Sequence, residues 1–164
     1  MDDNINCEYK KYLDEGIYNI QDGKYESAIQ NINKSLELKN DWEIPYFYRA
    51  VAYQALENFN EAMLDYTKAL QINDKMTDAY YNRARITLSR KDIENPAVNA
   101  ARDDLEKALE LDPCFIDALY AMAAAQKKLG NYILAIEYLD KLLTLEPDAV
   151  NAKALKKLIE NKYL

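Results

Sequence analysis

The side chains of this chain that could act as a nucleophile, an acid or a base form no catalytic pattern. Its 164 residues contain no histidine and two cysteines. The 28 Asp and Glu residues fall mostly on the polar faces of predicted helices. There is no glycine-rich phosphate loop and no nucleophile elbow, and a zinc site needs about four ligands that this composition does not supply. We therefore expect no enzymatic activity, no cofactor and no metal.

Aromatic side chains are the groups best suited to another kind of chemistry, the recognition of a protein surface. The chain has 14 Tyr and 3 Phe residues. Such rings supply a large contact area at low entropic cost, which is why binding surfaces are enriched in them. The elements that carry these rings decide which of them face a partner and which fill the core.

Small residues at a fixed spacing identify those elements. Gly16, Ala50 and Ala84 are separated by 34 residues, and Ala123 follows 39 residues later because of a five-residue insertion. Each leads to a second small residue, at positions 28, 62, 101 and 135. A period of about 34 is typical of stacked two-helix hairpins, whose axes approach closely where the contact residues are small. The predicted repeats are residues 9–42, 43–76, 77–115 and 116–149.

Other positions agree with this frame. Three sets of residues each occupy one position of the repeat. They are Tyr12, Tyr46, Tyr80 and Leu119; Ile32, Tyr66, Leu105 and Leu139; and the closing residues Asn40, Asp74, Pro113 and Pro147. The joint pattern resembles the tetratricopeptide repeat (TPR) family. The resemblance implies an all-α, right-handed superhelical solenoid of four hairpins within a single domain, residues 1–164. The family's Leu before the small residue is replaced by Glu15, Arg49, Arg83 and Met122, and we expect looser packing at these departures.

Turn and cap residues complete the predicted hairpins. Asp22-Gly23, Glu57-Asn58 and Gly130-Asn131 separate first from second helices, and their Gly or Asn is expected in the left-handed cap conformation. The insertion at 91–95 either lengthens a helix or forms a loop, with Asn95 as N-cap and Pro96 as the first helical residue.

The segment 150–164 is predicted to be a capping helix. Its expected buried face holds Val150, Ala154, Leu155, Leu158 and Ile159. It carries a net charge of +3, whereas residues 1–149 carry −10. We interpret its lysines as a solvated face rather than a basic docking site.

The family resemblance also implies a binding site. In TPR proteins the first helix of each repeat lines a concave groove, and its positions 5, 6 and 9, counted from the start of the repeat, point at the ligand. Transferred to this chain, the groove residues are Leu13, Ile17, Phe47, Tyr48, Val51, Tyr81, Asn82, Arg85 and Tyr120. The alternative interpretation is that these rings only pack between neighbouring first helices.

One TPR subclass binds acidic chaperone tails through a carboxylate clamp of Lys, Asn and Arg side chains. The corresponding positions here hold Leu13, Ile17, Tyr48, Asp78 and Asn82, or, one repeat later, Phe47, Val51, Asn82, Asp117 and Ala121. Only Asn82 fits the clamp. Asp14, Asp78 and Asp117 instead indicate a partner with apolar anchors and some basic character.

We therefore predict an adaptor or scaffold that binds a peptide or helix of a partner protein. Two alternatives stay open: a chaperone that shields an apolar segment of a secreted protein, and a self-assembling scaffold module. The acidic balance argues against nucleic acid, and no apolar run is long enough for a membrane span. The start Met1-Asp2-Asp3-Asn4 is acidic where a leader would be basic, so a cytoplasmic protein is expected.

Overall fold

The computed structural model describes the backbone of residues 2–163 and the side chains of residues 8–163. In this part of the chain there are nine α-helices: α1 Asp2–Gln21, α2 Tyr25–Leu38, α3 Glu43–Ala55, α4 Phe59–Ile72, α5 Thr77–Ser89, α6 Asn95–Leu111, α7 Ile116–Lys128, α8 Tyr132–Leu145 and α9 Val150–Tyr163. The chain divides into two compact units, residues 1–79 and 80–164. That it forms one domain stays a prediction, and Met1 and Leu164 lie outside the described residues.

The first unit contains the hairpins α1–α2 and α3–α4. Gly16 lies where α1 crosses α2: a Cβ atom there would come within 2.5 Å of Ile32 Cγ1 and 3.3 Å of the Ala28 carbonyl oxygen. Ala28, Ala50 and Ala62 are fully buried. These small residues occupy the helix crossings that the 34-residue spacing predicts.

The second unit contains most of α5 and the helices α6 to α9. One core cluster joins Ala84 of α5 to Val98, Ala101 and Leu105 of α6. A second cluster, around Leu119, Ala123 and Leu139, joins α7 and α8 to Ala152 and Ile159 of α9. The small residues predicted at the crossings of this unit are therefore also buried.

Three hairpin turns share one geometry. Gly23, Glu57 and Gly130 occupy the same repeat position and have φ angles of 73°, 59° and 81°. The next residue in each turn donates its backbone N–H to a carbonyl five residues back, as Asn58 does to Tyr53 at 2.9 Å. The prediction is confirmed for the two glycines. It is wrong for Asn58, whose φ is −80°, because the geometry of the turn places Glu57 at the left-handed position.

The insertion forms a loop rather than an extra helical turn, since α5 ends at Ser89 and α6 begins at Asn95. Glu94, not Asn95, is the N-cap residue, so Pro96 follows the first helical residue. The predicted cap was therefore one position too late. Proline is tolerated there because the first backbone N–H groups of a helix have no intrahelical acceptor.

The capping helix is present, but its buried face differs from the prediction. Ala152 and Ile159 are buried and Leu155 is half-buried. Val150 and Leu158 are 76% and 47% exposed. The helix is rotated so that residues spaced by three and four from Ala152 face α8, which leaves Val150 and Leu158 on the outer side.

Candidate partner-binding surface

The first unit presents a partly open apolar surface on its first helices. Ile17 of α1 and Phe47, Tyr48 and Val51 of α3 are all half-buried. The Phe47 ring lies 5.4 Å from the Tyr48 ring in an edge-on arrangement. The inner sides of these residues stabilise the hairpins, and their outer sides are accessible.

Leu13 does not belong to this surface. Its side chain is 3% exposed and forms a core cluster with Ile32 and Leu36 of α2. A branched aliphatic side chain is short enough to be covered completely by the second helix of its own hairpin. The assignment of Leu13 to the groove is therefore corrected: it is a core residue.

The corresponding residues of the second unit are Tyr81, Asn82 and Arg85 on α5 and Tyr120 on α7. The Tyr81 ring centroid lies 5.0 Å from that of Phe115, and the Arg85 guanidinium is 5.7 Å from the Tyr81 centroid. Burial, together with the negative charge of Asp117, raises the pKa of the Tyr81 phenol although Arg85 opposes the shift. Tyr81 is thus a neutral hydrogen-bonding group at physiological pH.

Tyr120 borders a cavity of about 300 Å³ between the start of α7 and the junction of α8 with α9. Its ring is among the exposed large apolar side chains, with 37% of the residue accessible. Ile116, Leu142 and Val150 supply apolar walls, and the carboxylates of Asp117 and Glu146 lie at the same cavity. Both carboxylates are on exposed residues.

Tyr120 and Asp117 are predicted from the sequence to face a partner, whereas Glu146 and the α8–α9 junction are not. Glu146 follows the last residue of α8, and the chain then turns back towards the start of α7. The closing proline at position 147 marks this return. The proximity of Glu146 to the start of α7, however, becomes visible only when the helices are packed.

Arg49 and Arg83 replace an apolar family residue, yet they are not free groups on this surface. Arg49 binds Asp65 of α4 through Nε and Nη2 at 2.7 and 2.8 Å, and donates from Nη1 to Asn33 at 2.6 Å. Arg83 pairs in the same way with Asp104 of α6 at 2.8 and 2.6 Å, which raises its pKa although burial opposes the shift. The looser packing expected at these two positions is therefore replaced by an ion pair that joins the two helices of the hairpin.

Two family models match the chain. Residues 44–75 match the tetratricopeptide repeat, and residues 116–163 match the Fis1 C-terminal tetratricopeptide repeat. The chain thus contains tetratricopeptide repeats, as the spacing of its small and aromatic residues predicts.

Among curated proteins, human Tetratricopeptide repeat protein 12 is 33% identical over 92 residues, which cover 56% of this chain and 12% of that protein. The chain therefore spans about one eighth of the length of this relative. The part of the chain that the structure describes contains no helix long and apolar enough to cross a membrane.

Solved structures share the fold. MamA has a TM-score of 0.84 at 21% identity, over 93% of this chain and 81% of MamA. The first TPR domain of Spaghetti (RPAP3), solved with the HSP90 peptide SRMEEVD, has a TM-score of 0.69 at 24% identity, over 76% of this chain and 94% of that domain. The predicted all-α solenoid fold is confirmed.

Proposed function

We propose that this chain is a protein-interaction adaptor that binds a peptide or helix of a partner protein on its first-helix face. The first-helix face is defined in each unit by the partly open side chains at repeat positions 5, 6 and 9. These are Ile17, Phe47, Tyr48 and Val51 in the first unit and Tyr81, Asn82, Arg85 and Tyr120 in the second. The observation that carries the proposal is that the same repeat positions offer accessible aromatic or aliphatic groups in both units. TPR domains as a class take part in protein–protein interactions, and the Spaghetti domain was solved with a bound peptide.

The chemistry of this face favours a partner unlike the peptide of that neighbour. The SRMEEVD peptide ends in acidic residues, whereas the first-helix face of this chain has Asp78 and Asp117 where the carboxylate clamp has basic or amide groups. Asp14, Asp78 and Asp117 are all exposed. Like charges brought together cost binding energy, so an acidic tail is disfavoured and a partner with basic and apolar residues is favoured.

Affinity of a single peptide for such a face is expected to be modest, since binding must offset the loss of translational, rotational and side-chain freedom. A few well-packed aromatic contacts then supply most of the favourable energy. Tyr120, which is 37% exposed, is the ring whose truncation removes contact area with little loss of core packing, whereas Tyr48 also packs against the core cluster of Leu13, Ile32 and Leu36.

The test is selection of peptides from a displayed random library against the whole chain, followed by NMR mapping of the bound site. We expect the selected peptides to shift the amide signals of first helices, either α1 and α3 in the first unit or α5 and α7 in the second, and peptides that shift the same unit to compete with one another. Peptides that shift only the second helices α4, α6 and α8 would contradict the proposal. Measurement of the molecular mass at several concentrations separates the self-assembling alternative, in which the mass rises with concentration in the absence of peptide.

A further inference from the structure

Tyr81 and Tyr120 occupy the same repeat position in consecutive repeats of the second unit. Among the described residues, a cationic side chain lies over the ring of Tyr81 but not over that of Tyr120. Arg85, one helical turn after Tyr81, lies over its ring at 5.7 Å from the centroid. The corresponding residue after Tyr120 is Ala124, which leaves that ring open. Other tyrosines of the chain also carry a cation at similar range, including Tyr46 with Arg49 and Tyr80 with Arg83.

In the part of the chain that the structure describes, the acidic groups at Tyr120 form no ion pair. Among the described residues, no Lys or Arg lies within ion-pair distance of Asp117 or Glu146 or over the Tyr120 ring. Two nearby carboxylates do form ion pairs: Asp140 lies 2.5 Å from Lys156, and Asp148 lies 3.4 Å from Lys153. Asp117 precedes Tyr120 by three residues and therefore lies on the same side of α7.

The cavity has the form that a long basic side chain requires. Lys and Arg side chains bury an aliphatic stem against apolar groups and keep the charged head at polar ones. Here Leu142, Ile116 and Val150 provide the apolar walls, and the volume of about 300 Å³ lies in the range of small binding clefts. An aromatic ring adds a cation–π contribution, and carboxylates add charge-assisted hydrogen bonds.

We propose that this cavity, the Tyr120 pocket, binds a lysine or arginine side chain of the partner segment. The head group contacts Asp117, Glu146 and the Tyr120 ring, in the role that Arg85 has at Tyr81, and the stem packs on Ile116 and Val150. The proposal rests on the proposed function of the first-helix face and adds the place where the basic side chain of the partner segment is bound.

The direct test uses small probes and needs no knowledge of the partner. N-acetyl-lysine methylamide and N-acetyl-arginine methylamide are titrated into the whole labelled chain and followed by NMR. We expect shifts at residues 116–121 and 146–152 that weaken as salt is added, since exposed charges are screened. The uncharged analogue with norleucine and the acidic analogue with glutamate should give no shifts there. Equal shifts from the norleucine probe would overturn the proposal.

Charge variants provide the matched control. The double variant Asp117→Asn with Glu146→Gln should weaken the binding of the lysine probe by about tenfold. Its melting temperature should stay unchanged, because both residues are exposed. The control Asp148→Asn alters an exposed carboxylate of the same junction that pairs with Lys153 and should leave probe binding unchanged. An equal loss of probe affinity in both variants would show a general charge effect and would contradict the proposed pocket.

Selected peptides separate this inference from the proposed function. Peptides that require Tyr120 and contain Lys or Arg support both. Peptides that bind the first-helix face without basic residues, and are indifferent to Glu146→Gln, leave the proposed function intact and contradict the pocket. If no selected peptide binds that face while the lysine probe still shifts residues 116–121, the proposed function fails and the pocket stands. Occupation by lysines of a second copy, seen as a rise in mass that Glu146→Gln abolishes, would overturn the proposed partner class.

Discussion

Arg49 and Asp65 are held together by two hydrogen bonds, Nε to Oδ2 at 2.7 Å and Nη2 to Oδ1 at 2.8 Å, across the hairpin of α3 and α4. The Asp65 side chain is 9% exposed and that of Arg49 is 20% exposed. Arg83 and Asp104 repeat the arrangement at the same repeat positions of the next hairpin. The replacement of the family's apolar residue by arginine is thus accompanied by an aspartate on the facing helix.

Removal of one partner of the Arg49–Asp65 pair should lower the free energy of unfolding more than removal of both partners. We expect Asp65→Leu to lower the free energy of unfolding by about 3 kcal/mol, because it leaves the partly buried Arg49 guanidinium without its carboxylate. The double variant Arg49→Leu with Asp65→Leu should recover most of this loss. Urea denaturation measures both values.

The matched control is the exposed pair of Lys24 with Asp22. There, Asp22→Asn should change stability by less than about 0.5 kcal/mol, as surface pairs contribute little. A double variant at 49 and 65 that is as unstable as the single Asp65 variant would contradict this account of the pair.

Gly16 offers a test in which two effects have opposite signs. Alanine is favoured over glycine in a helix by about 1 kcal/mol, so Gly16→Ala would stabilise an open helical site. Because the added Cβ would meet Ile32 Cγ1 at 2.5 Å, we expect destabilisation instead, by about 1–3 kcal/mol, and a larger loss for Gly16→Leu. A stabilised alanine variant in urea denaturation would show that α1 and α2 do not approach closely.

Glu57 is a non-glycine residue at φ 59°, where the equivalent turns use glycine. Glycine at this position removes the clash of the Cβ atom with the backbone. Glu57→Gly should therefore raise the free energy of unfolding by about 0.5–1 kcal/mol.

The same change at Glu61, in the first turn of α4, is its control. Within a helix, glycine costs about 1 kcal/mol relative to alanine, so Glu61→Gly should destabilise. Thermal melts of the two variants that shift in the same direction would be inconsistent with the left-handed turn.

The rotation of α9 can be tested with two neighbouring residues. Ile159 is fully buried and Leu158 is 47% exposed. Ile159→Ala should cost about 2–4 kcal/mol, whereas Leu158→Ala should cost less than about 1 kcal/mol. Equal losses in chemical denaturation would favour the helix face predicted from sequence over the observed one.

Sequence reasoning succeeded where a physical constraint repeats along the chain. Small residues are required at every helix crossing, so Gly16, Ala50, Ala84 and Ala123 fixed the register of four hairpins. Apolar residues within one helix are less informative, because an outer apolar position such as Leu158 looks the same as a buried one. The burial of Ile159 depends on the rotation of α9 against α8, which no local spacing determines.

The candidate surface was predictable in part for the same reason. The repeat frame placed Tyr48, Tyr81 and Tyr120 on first helices, where they remain partly or largely accessible. It did not predict that α2 covers Leu13, since burial of that residue depends on the fit of Ile32 and Leu36. Glu146 could not be assigned to the Tyr120 pocket, because their proximity arises from the packing of the α8–α9 junction on α7.

The central claim is tested most directly by the affinity of a selected peptide for variants of the first-helix face. Tyr48→Ala with Tyr120→Ala should weaken binding by ten- to a thousandfold in calorimetry, as expected when two aromatic anchors are removed. The affinity is measured well below the melting temperature, which loss of the packing of Tyr48 against the Leu13 core cluster should lower. The control variant Leu64→Ala with Ile133→Ala alters residues of α4 and α8 that are 72% and 67% exposed, and should bind as the unaltered chain does. Unchanged affinity in the tyrosine variant, or an equal loss in the control, would contradict the assignment of partner binding to the first helices.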